Sequence, residues 1–163
     1  MRHILAILLQ NEAGSLARVA GLFSTRAYNI EALSVAPTEN PAVSRITLVT
    51  TGDESVLAQI ASQLRKLVDV VSVEDLTGGS HQERELLLVK LRVTPSAFEG
   101  LSRVITQADA RILCGALSSF IVEVTSSEAL ASEFLAQVSQ FGDVLEVVRS
   151  GALGIRQDST GNN

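Results

Sequence analysis

Two apolar stripes at helical spacing, each set between short runs of strand length, occupy the first half of this 163-residue chain, and the same order returns after a glycine-containing break. Those observations predict an α+β protein made of two βαββαβ units in tandem. Apolar residues make up 46% of the chain and charged residues 19%, a balance that supports a buried core and argues against disorder.

Residues 2–10 (RHILAILLQ) are an almost continuous apolar run, the pattern of a strand covered on both faces. A helix is predicted over 15–27. Leu16, Val19, Ala20, Phe23 and Ala27 lie on one side, while Arg18, Ser24, Thr25 and Arg26 fall mainly on the other. Residues 30–36 form the second strand, with Leu33 and Val35 facing one way and Ala32, Ser34 and Ala36 the other. The turn formers from Pro37 to Pro41 mark a loop. The third strand, 44–51, alternates Ile46 and Leu48 against Arg45 and Thr47. Asp53 is placed to cap a second helix with the stripe Val56, Leu57, Ile60, Leu64 and Leu67, and residues 70–76 form the fourth strand. The order is ferredoxin-like, with two helices on one face of a four-stranded antiparallel sheet.

Thr77-Gly78-Gly79-Ser80 and the polar HQERE segment break all periodicity and mark a boundary. Beyond them the order recurs: strand 86–93, helix 95–108, strands 111–117 and 119–125, helix 127–140 carrying Leu130, Phe134, Leu135 and Val138, and strand 144–149. The expected division is a first domain over 1–77, a linker over 78–84, a second domain over 85–157 and a polar tail over 158–163. Two helices per unit leave the other sheet face bare. Those strands are too apolar to face water, so dimerisation, half against half, or docking on a larger protein is expected to cover them.

A net charge of −5 without a Lys/Arg cluster argues against nucleic-acid binding. One Cys and two His cannot furnish a structural zinc site by themselves, and Cys114 has no intrachain disulfide partner. A reducing, cytoplasmic setting fits this, with neither a signal peptide nor a membrane span in view. No H-x-x-x-H, C-x-x-C, G-x-S-x-G or P-loop is present. Gly78-Gly79 precedes no helix, which removes a dinucleotide reading. His3, in an apolar strand, and His81, in the break, are structural or solvated in this reading, and Cys114 is a small core residue.

The stretch richest in chemistry runs from Leu8 to Pro37. Asn11 or Ser15 can cap the first helix, whose opening N–H groups are ready for a carboxylate or phosphate. Gly14, without a Cβ, permits a sharp strand-to-helix turn and close approach by a ligand. The plain alternative is that Asn11 only caps the turn and Gly14 only permits it. The loops at 11–15 and 27–30 lie at opposite ends of one helix, so they need not meet in one subunit, whereas across a symmetric dimer they could.

The segments NEAGSLARVAGLFSTRAYNIEALSVAPTENPAVSRITLV, KLVDVVSVEDL, HQERELLLVK and EVVRSGALGIRQ resemble the small, regulatory subunit of acetohydroxyacid synthase, also called acetolactate synthase, over residues 1–157. The resemblance implies that the first unit is an ACT domain, an amino-acid-binding module. It implies a homodimer formed through that domain and binding to the large catalytic subunit, whose activity the small subunit raises. It further implies feedback inhibition by valine in the biosynthesis of valine, isoleucine and leucine. Thiamine diphosphate, Mg and FAD are then expected on the catalytic subunit and no cofactor on this chain. The matching effector positions are Asn11, Gly14 and Asn29 as anchors, with Ala13, Ser15, Leu16 and Ile30 as neighbours. Where family members often have Gly-Tyr-Asn, this chain has Ala27-Tyr28-Asn29. A free-standing amino-acid sensor acting on transcription or on another enzyme is the alternative, and the absence of a helix-turn-helix segment weighs against it. A small ferredoxin-like enzyme ranks last.

Overall fold

The apolar run at the start of the chain is a strand, β1 (Arg2–Gln10), buried along nearly its whole length. A computed structural model describes residues 1–157; the polar tail 158–163 lies outside the described residues. Two compact units are present, one formed by Met1–Glu83 together with the segment from Ala152, the other by Arg84–Gly151.

In the first unit β1 is followed by α1 (Ser15–Thr25), β2 (Ala32–Pro37), β3 (Val43–Thr51), α2 (Glu54–Leu64) and β4 (Val70–Asp75). The antiparallel sheet has the order β2-β3-β1-β4, so β1 is central and β2 and β4 are edges. The period of two sends Leu5, Ile7 and Leu9 to the helix side, where they pack with Val19, Phe23, Ile60 and Leu64. Truncating one of these fully buried leucines to Ala typically costs about 2–5 kcal/mol.

The opposite face of this sheet, expected to be covered by dimerisation, by the other half or by a larger protein, is covered in part by the end of the chain itself. A further strand, β9 (Leu153–Arg156), returns to it from the end of the second unit. Ala152 joins Ile4, Ala6, Val49 and Leu76 in a second buried cluster. Arg45 donates to the Gly154 carbonyl at 2.9 Å, Arg156 pairs with Glu74, and Gln157 N–H donates to the Ser80 carbonyl at 2.9 Å. Residues 152–157, expected with the second domain, thus cluster with the first unit, while β9 is also hydrogen-bonded to β5. Exclusion of water from Ile4 and Ala6 is the physical reason, and four residues are too short for periodicity to reveal them.

The expected linker 78–84 also differs, because β5 (His81–Val93) already begins at His81. Its polar start is held by Arg2, whose Nη1 donates to Glu83 Oε2 at 3.1 Å. In the second unit β5 continues into α3 (Phe98–Gln107), β6 (Arg111–Cys114), a short 3₁₀ turn (Leu117–Ser119), β7 (Phe120–Ser126), α4 (Glu128–Val138) and β8 (Gly142–Arg149). The strand order β6-β7-β5-β8 repeats that of the first unit. Leu87, Val89, Leu91 and Val93 pack with Leu101, Ile105, Phe134 and Val138 on the helix face. Lys90–Glu146, Arg92–Asp143 and Arg111–Glu123 are cross-strand ion pairs at 3.6–4.0 Å.

Helix α1 stops at Thr25 rather than Ala27, and α3 at Gln107 rather than residue 108, for one shared reason. Ala27 (φ 56°) and Asp109 (φ 51°) are left-handed. Tyr28 N–H donates to the Phe23 carbonyl and Ala27 N–H to that of Ser24; Ala110 and Asp109 repeat the pattern onto Ile105 and Thr106. This is the Schellman closure, completed in α1 by the Tyr28 ring packing edge-on against Phe23 with centroids 6.2 Å apart. Helix α2 has Asp53 at its cap position without a side-chain capping bond, whereas Ser127 caps α4 by accepting from Leu130 N–H.

Two stability effects follow. Ala27→Gly relieves a Cβ from a conformation that disfavours it by about 1–2 kcal/mol, partly offset by the entropy of glycine. Thermal unfolding is expected to move up by a few degrees, and an unchanged or lower midpoint contradicts the account of the helix end. A Cβ on Gly154 would lie 2.8 Å from Leu76 Cδ1 and 3.0 Å from Ile4 Cδ1. Gly154→Val is therefore expected to destabilise by about 1–3 kcal/mol in urea unfolding, and full tolerance would show that β9 does not seal this face.

Candidate effector site

The end of β1 leads directly into the turn that opens α1. Asn11 N–H donates to the Ala42 carbonyl at 2.8 Å, and its side-chain Nδ2 donates to the Pro41 carbonyl at 2.9 Å. Because a carbonyl can only accept, this orientation leaves Asn11 Oδ1 as a free-facing acceptor. The loop it leans on is itself ordered: Ala42 N–H donates to Asn40 Oδ1 and Thr38 N–H to the Val43 carbonyl.

The N-cap of α1 is Gly14, at φ 91°, and no side chain caps the helix. Asn11 is turned to Pro41, and Ser15 is drawn inward. Neither fills the capping role expected from sequence. Ser15 is only 2% exposed, and its Oγ has no hydrogen-bond partner. Its hydroxyl thus lies buried at the opening turn of a helix whose first amides lack intrahelical acceptors. α1 has no acidic residue in that turn, whereas α2, α3 and α4 carry Glu54, Glu99 and Glu128 in theirs. The first turn of α1 itself thus holds no carboxylate, while Glu12 just before it and Asp69 both act on Arg18. Ala13 and Leu16 are exposed beside that turn.

Sequence reasoning missed Arg18, which falls on the polar side of the helix wheel. Its guanidinium pairs with Asp69, a carboxylate residue only 5% exposed, and reaches back over the turn so that a Cβ on Gly14 would sit 3.2 Å from Nη1. The bond to Asp69 raises the guanidinium pKa above its ordinary value, outweighing the lowering by desolvation. Asp69 also accepts from Gln10 N–H through its backbone carbonyl at 2.8 Å. The pair fixes the first turn of α1 against the segment that enters β4. The two partners are 51 positions apart, so no local pattern announces them.

At the other end of α1 the left-handed Ala27 turns the chain toward β2. Tyr28 Oη donates to Gln59 Oε1 at 3.2 Å, and Thr50 Oγ1 donates to the Asn29 carbonyl at 2.6 Å. Asn29 is exposed, and Ile30 is half-buried against the helix-side core. The expected site residues therefore form two groups. Asn11, Ala13, Gly14, Ser15 and Leu16 come together at the start of α1; Asn29 and Ile30 do not join them, since an eleven-residue helix separates the two turns by about 16 Å.

The corresponding turn of the second unit lacks these features. Its cap, Ala97, has ordinary right-handed dihedrals, and Glu99 occupies the first turn of α3. Among the described residues no group of three or more His, Cys, Asp or Glu is placed to hold a metal ion, and no helix is long and apolar enough to cross a membrane.

Comparison with known proteins matches the two halves of the chain to separate family models. Residues 5–72 match the model of the AHAS small subunit-like ACT domain, and residues 84–158 match that of the small subunit of acetolactate synthase. The chain is 44% identical to the acetolactate synthase isozyme 3 small subunit of Escherichia coli over 155 residues, 95% of each chain. It is 40% identical to the acetolactate synthase small subunit of Haemophilus influenzae, again over 95% of each. The crystal structure of the acetolactate synthase small subunit from Thermotoga maritima superposes with a TM-score of 0.86 at 28% identity, covering 96% of this chain and 98% of that one. With both of its units matched, the chain belongs to the family of acetolactate synthase small subunits, and its first unit is an ACT domain.

Proposed function

We propose that this chain is the regulatory subunit of an acetolactate synthase: a homodimer through its first unit that binds the large catalytic subunit, raises its activity and makes it sensitive to valine. Thiamine diphosphate, Mg and FAD reside on the catalytic subunit in this reading, and acetolactate is formed there. The observation that carries the effector assignment is the opening turn of α1, where an uncapped helix N-terminus, the buried Ser15 hydroxyl and the outward Asn11 Oδ1 stand together.

These groups match a zwitterion. First-turn amides and the positive helix end receive a carboxylate, Asn11 Oδ1 accepts from an ammonium, and Leu16 borders an aliphatic side chain. Asn29 and Ile30 complete the site when they come from a second copy related by a two-fold axis. β2, an edge strand with Val35 exposed, directly follows that second turn and offers the surface on which such a copy pairs. Valine ranks ahead of leucine and isoleucine, although one methylene in an apolar slot changes affinity by only about 1–3 kcal/mol.

Mixing the purified chain with its catalytic subunit is expected to raise the rate of acetolactate formation and to make that rate fall when valine is added. An unchanged rate together with unchanged valine response defeats the proposal. Gly14→Asp introduces a side chain at a left-handed position and a carboxylate beside Arg18, where the effector carboxylate belongs. That variant is expected to keep activating while losing valine inhibition; inhibition as strong as in the parent chain shows that the effector lies elsewhere.

A further inference from the structure

Arg18 brings a positive charge to the opening turn of α1, the positive end of the helix dipole, where a cation is disfavoured. It stands one helical turn beyond Gly14, and its N–H donates to the Gly14 carbonyl at 3.0 Å. Helical side chains lean toward the N-terminus, so the guanidinium folds back over Gly14 instead of running along the helix. A Cβ at position 14 would lie 3.2 Å from Nη1 and 3.8 Å from Cζ. Glycine here therefore serves twice: it accepts a φ of 91° and leaves the space in which the guanidinium lies.

The buried carboxylate of Asp69 holds the group through Nε, the one guanidinium nitrogen that makes a hydrogen bond among the described residues. An ion pair that only tied α1 to the entry of β4 would need that contact and no more. The side chain is nevertheless 46% exposed, and its remaining N–H donors sit on Nη1 and Nη2, with Nη1 over the glycine. The unpartnered Ser15 hydroxyl belongs to the same turn. Glu12, exposed and just ahead of the turn, attracts the guanidinium through charge without a hydrogen bond to it. At the equivalent position of α3 the second unit has Leu101, buried in its core, so no guanidinium overhangs that turn.

We infer that Arg18 binds the effector's carboxylate, its η nitrogens donating from one side while the opening amides of α1 donate from the other. Asp69 positions the guanidinium for this, and Glu12 competes with the effector for it. The inference rests on the assignment of the effector to this turn, and it adds a reason for selectivity. Hydrogen bonds from a cationic fork to a carboxylate are roughly twice as strong as those to a neutral acceptor, so the site favours an amino acid over its amide.

Calorimetry on the full-length chain with L-valine and with L-valinamide, which keeps the ammonium and side chain but lacks the carboxylate, tests this. Valinamide should bind the parent chain more weakly than valine. Arg18→Gln should weaken valine by about tenfold while leaving valinamide nearly unchanged. Glu12→Gln, at an exposed position, should tighten valine by about threefold, and the gain should vanish when Arg18→Gln is also present. Damage to packing cannot produce a gain of that kind. Undiminished valine binding in Arg18→Gln, equal losses for valine and valinamide, or a Glu12→Gln gain that is absent or persists without Arg18 would each overturn this inference alone. A parent chain that binds no valine overturns the effector assignment and the role of Arg18 together.

Discussion

A strand that meets water on neither face is the constraint from which the rest of the first unit follows. β1 sends Leu5, Ile7 and Leu9 into the space beneath α1 and α2, and Ile4 and Ala6 to the reverse side. Two helices cover only one face of such a sheet. The reverse face therefore requires another layer, and β9 supplies it from a point that follows the whole second unit in sequence. Gly154 allows that layer to approach closely, because its missing Cβ leaves room for Leu76 and Ile4. The chain consequently leaves the first unit at Glu83 and re-enters it at Ala152.

A strand locked in this way presents its two ends to fixed surroundings. One end runs into the Asn11 turn and the start of α1; the other places His3 beside the first turn of α2. The two termini of α1 are handled differently. Gly14 adopts a left-handed conformation that suits it, and no side chain caps the opening amides. Ala27 adopts a similar conformation under strain, held there by two Schellman hydrogen bonds and by the contact of Tyr28 with Phe23. Strain is thus tolerated where the chain must turn toward Asn29, whereas the turn that faces a candidate ligand is relaxed and uncapped.

The two units share strand order, helix placement, a register shift between the first and last strands, and the left-handed end of the first helix. What separates them is local chemistry at equivalent turns. The first unit has Gly14 and a buried unpartnered hydroxyl; the second has Ala97 and an acidic first turn that opposes a carboxylate. One topology therefore carries different local chemistry in its two copies, as expected when function resides in sites rather than folds.

Helices, strands and their order were legible from the amino acids because each depends on a short-range period. Leu16, Val19 and Phe23 reveal α1, and Ile46 and Leu48 reveal β3, without reference to anything distant. A sharp turn at Gly14 was legible because only glycine lacks a Cβ, although Asn11 or Ser15 was expected as the cap; family membership was legible from the near-continuous motif that follows Asn11. Only tertiary structure decided that Ser15 is buried rather than capping, that Arg18 is committed to Asp69, that the polar start of β5 is strand, and that residues 152–156 seal the first sheet. Each of those outcomes joins side chains far apart along the chain or depends on which face excludes water. Neither relation has a period, so a linear sequence carries no local mark of it.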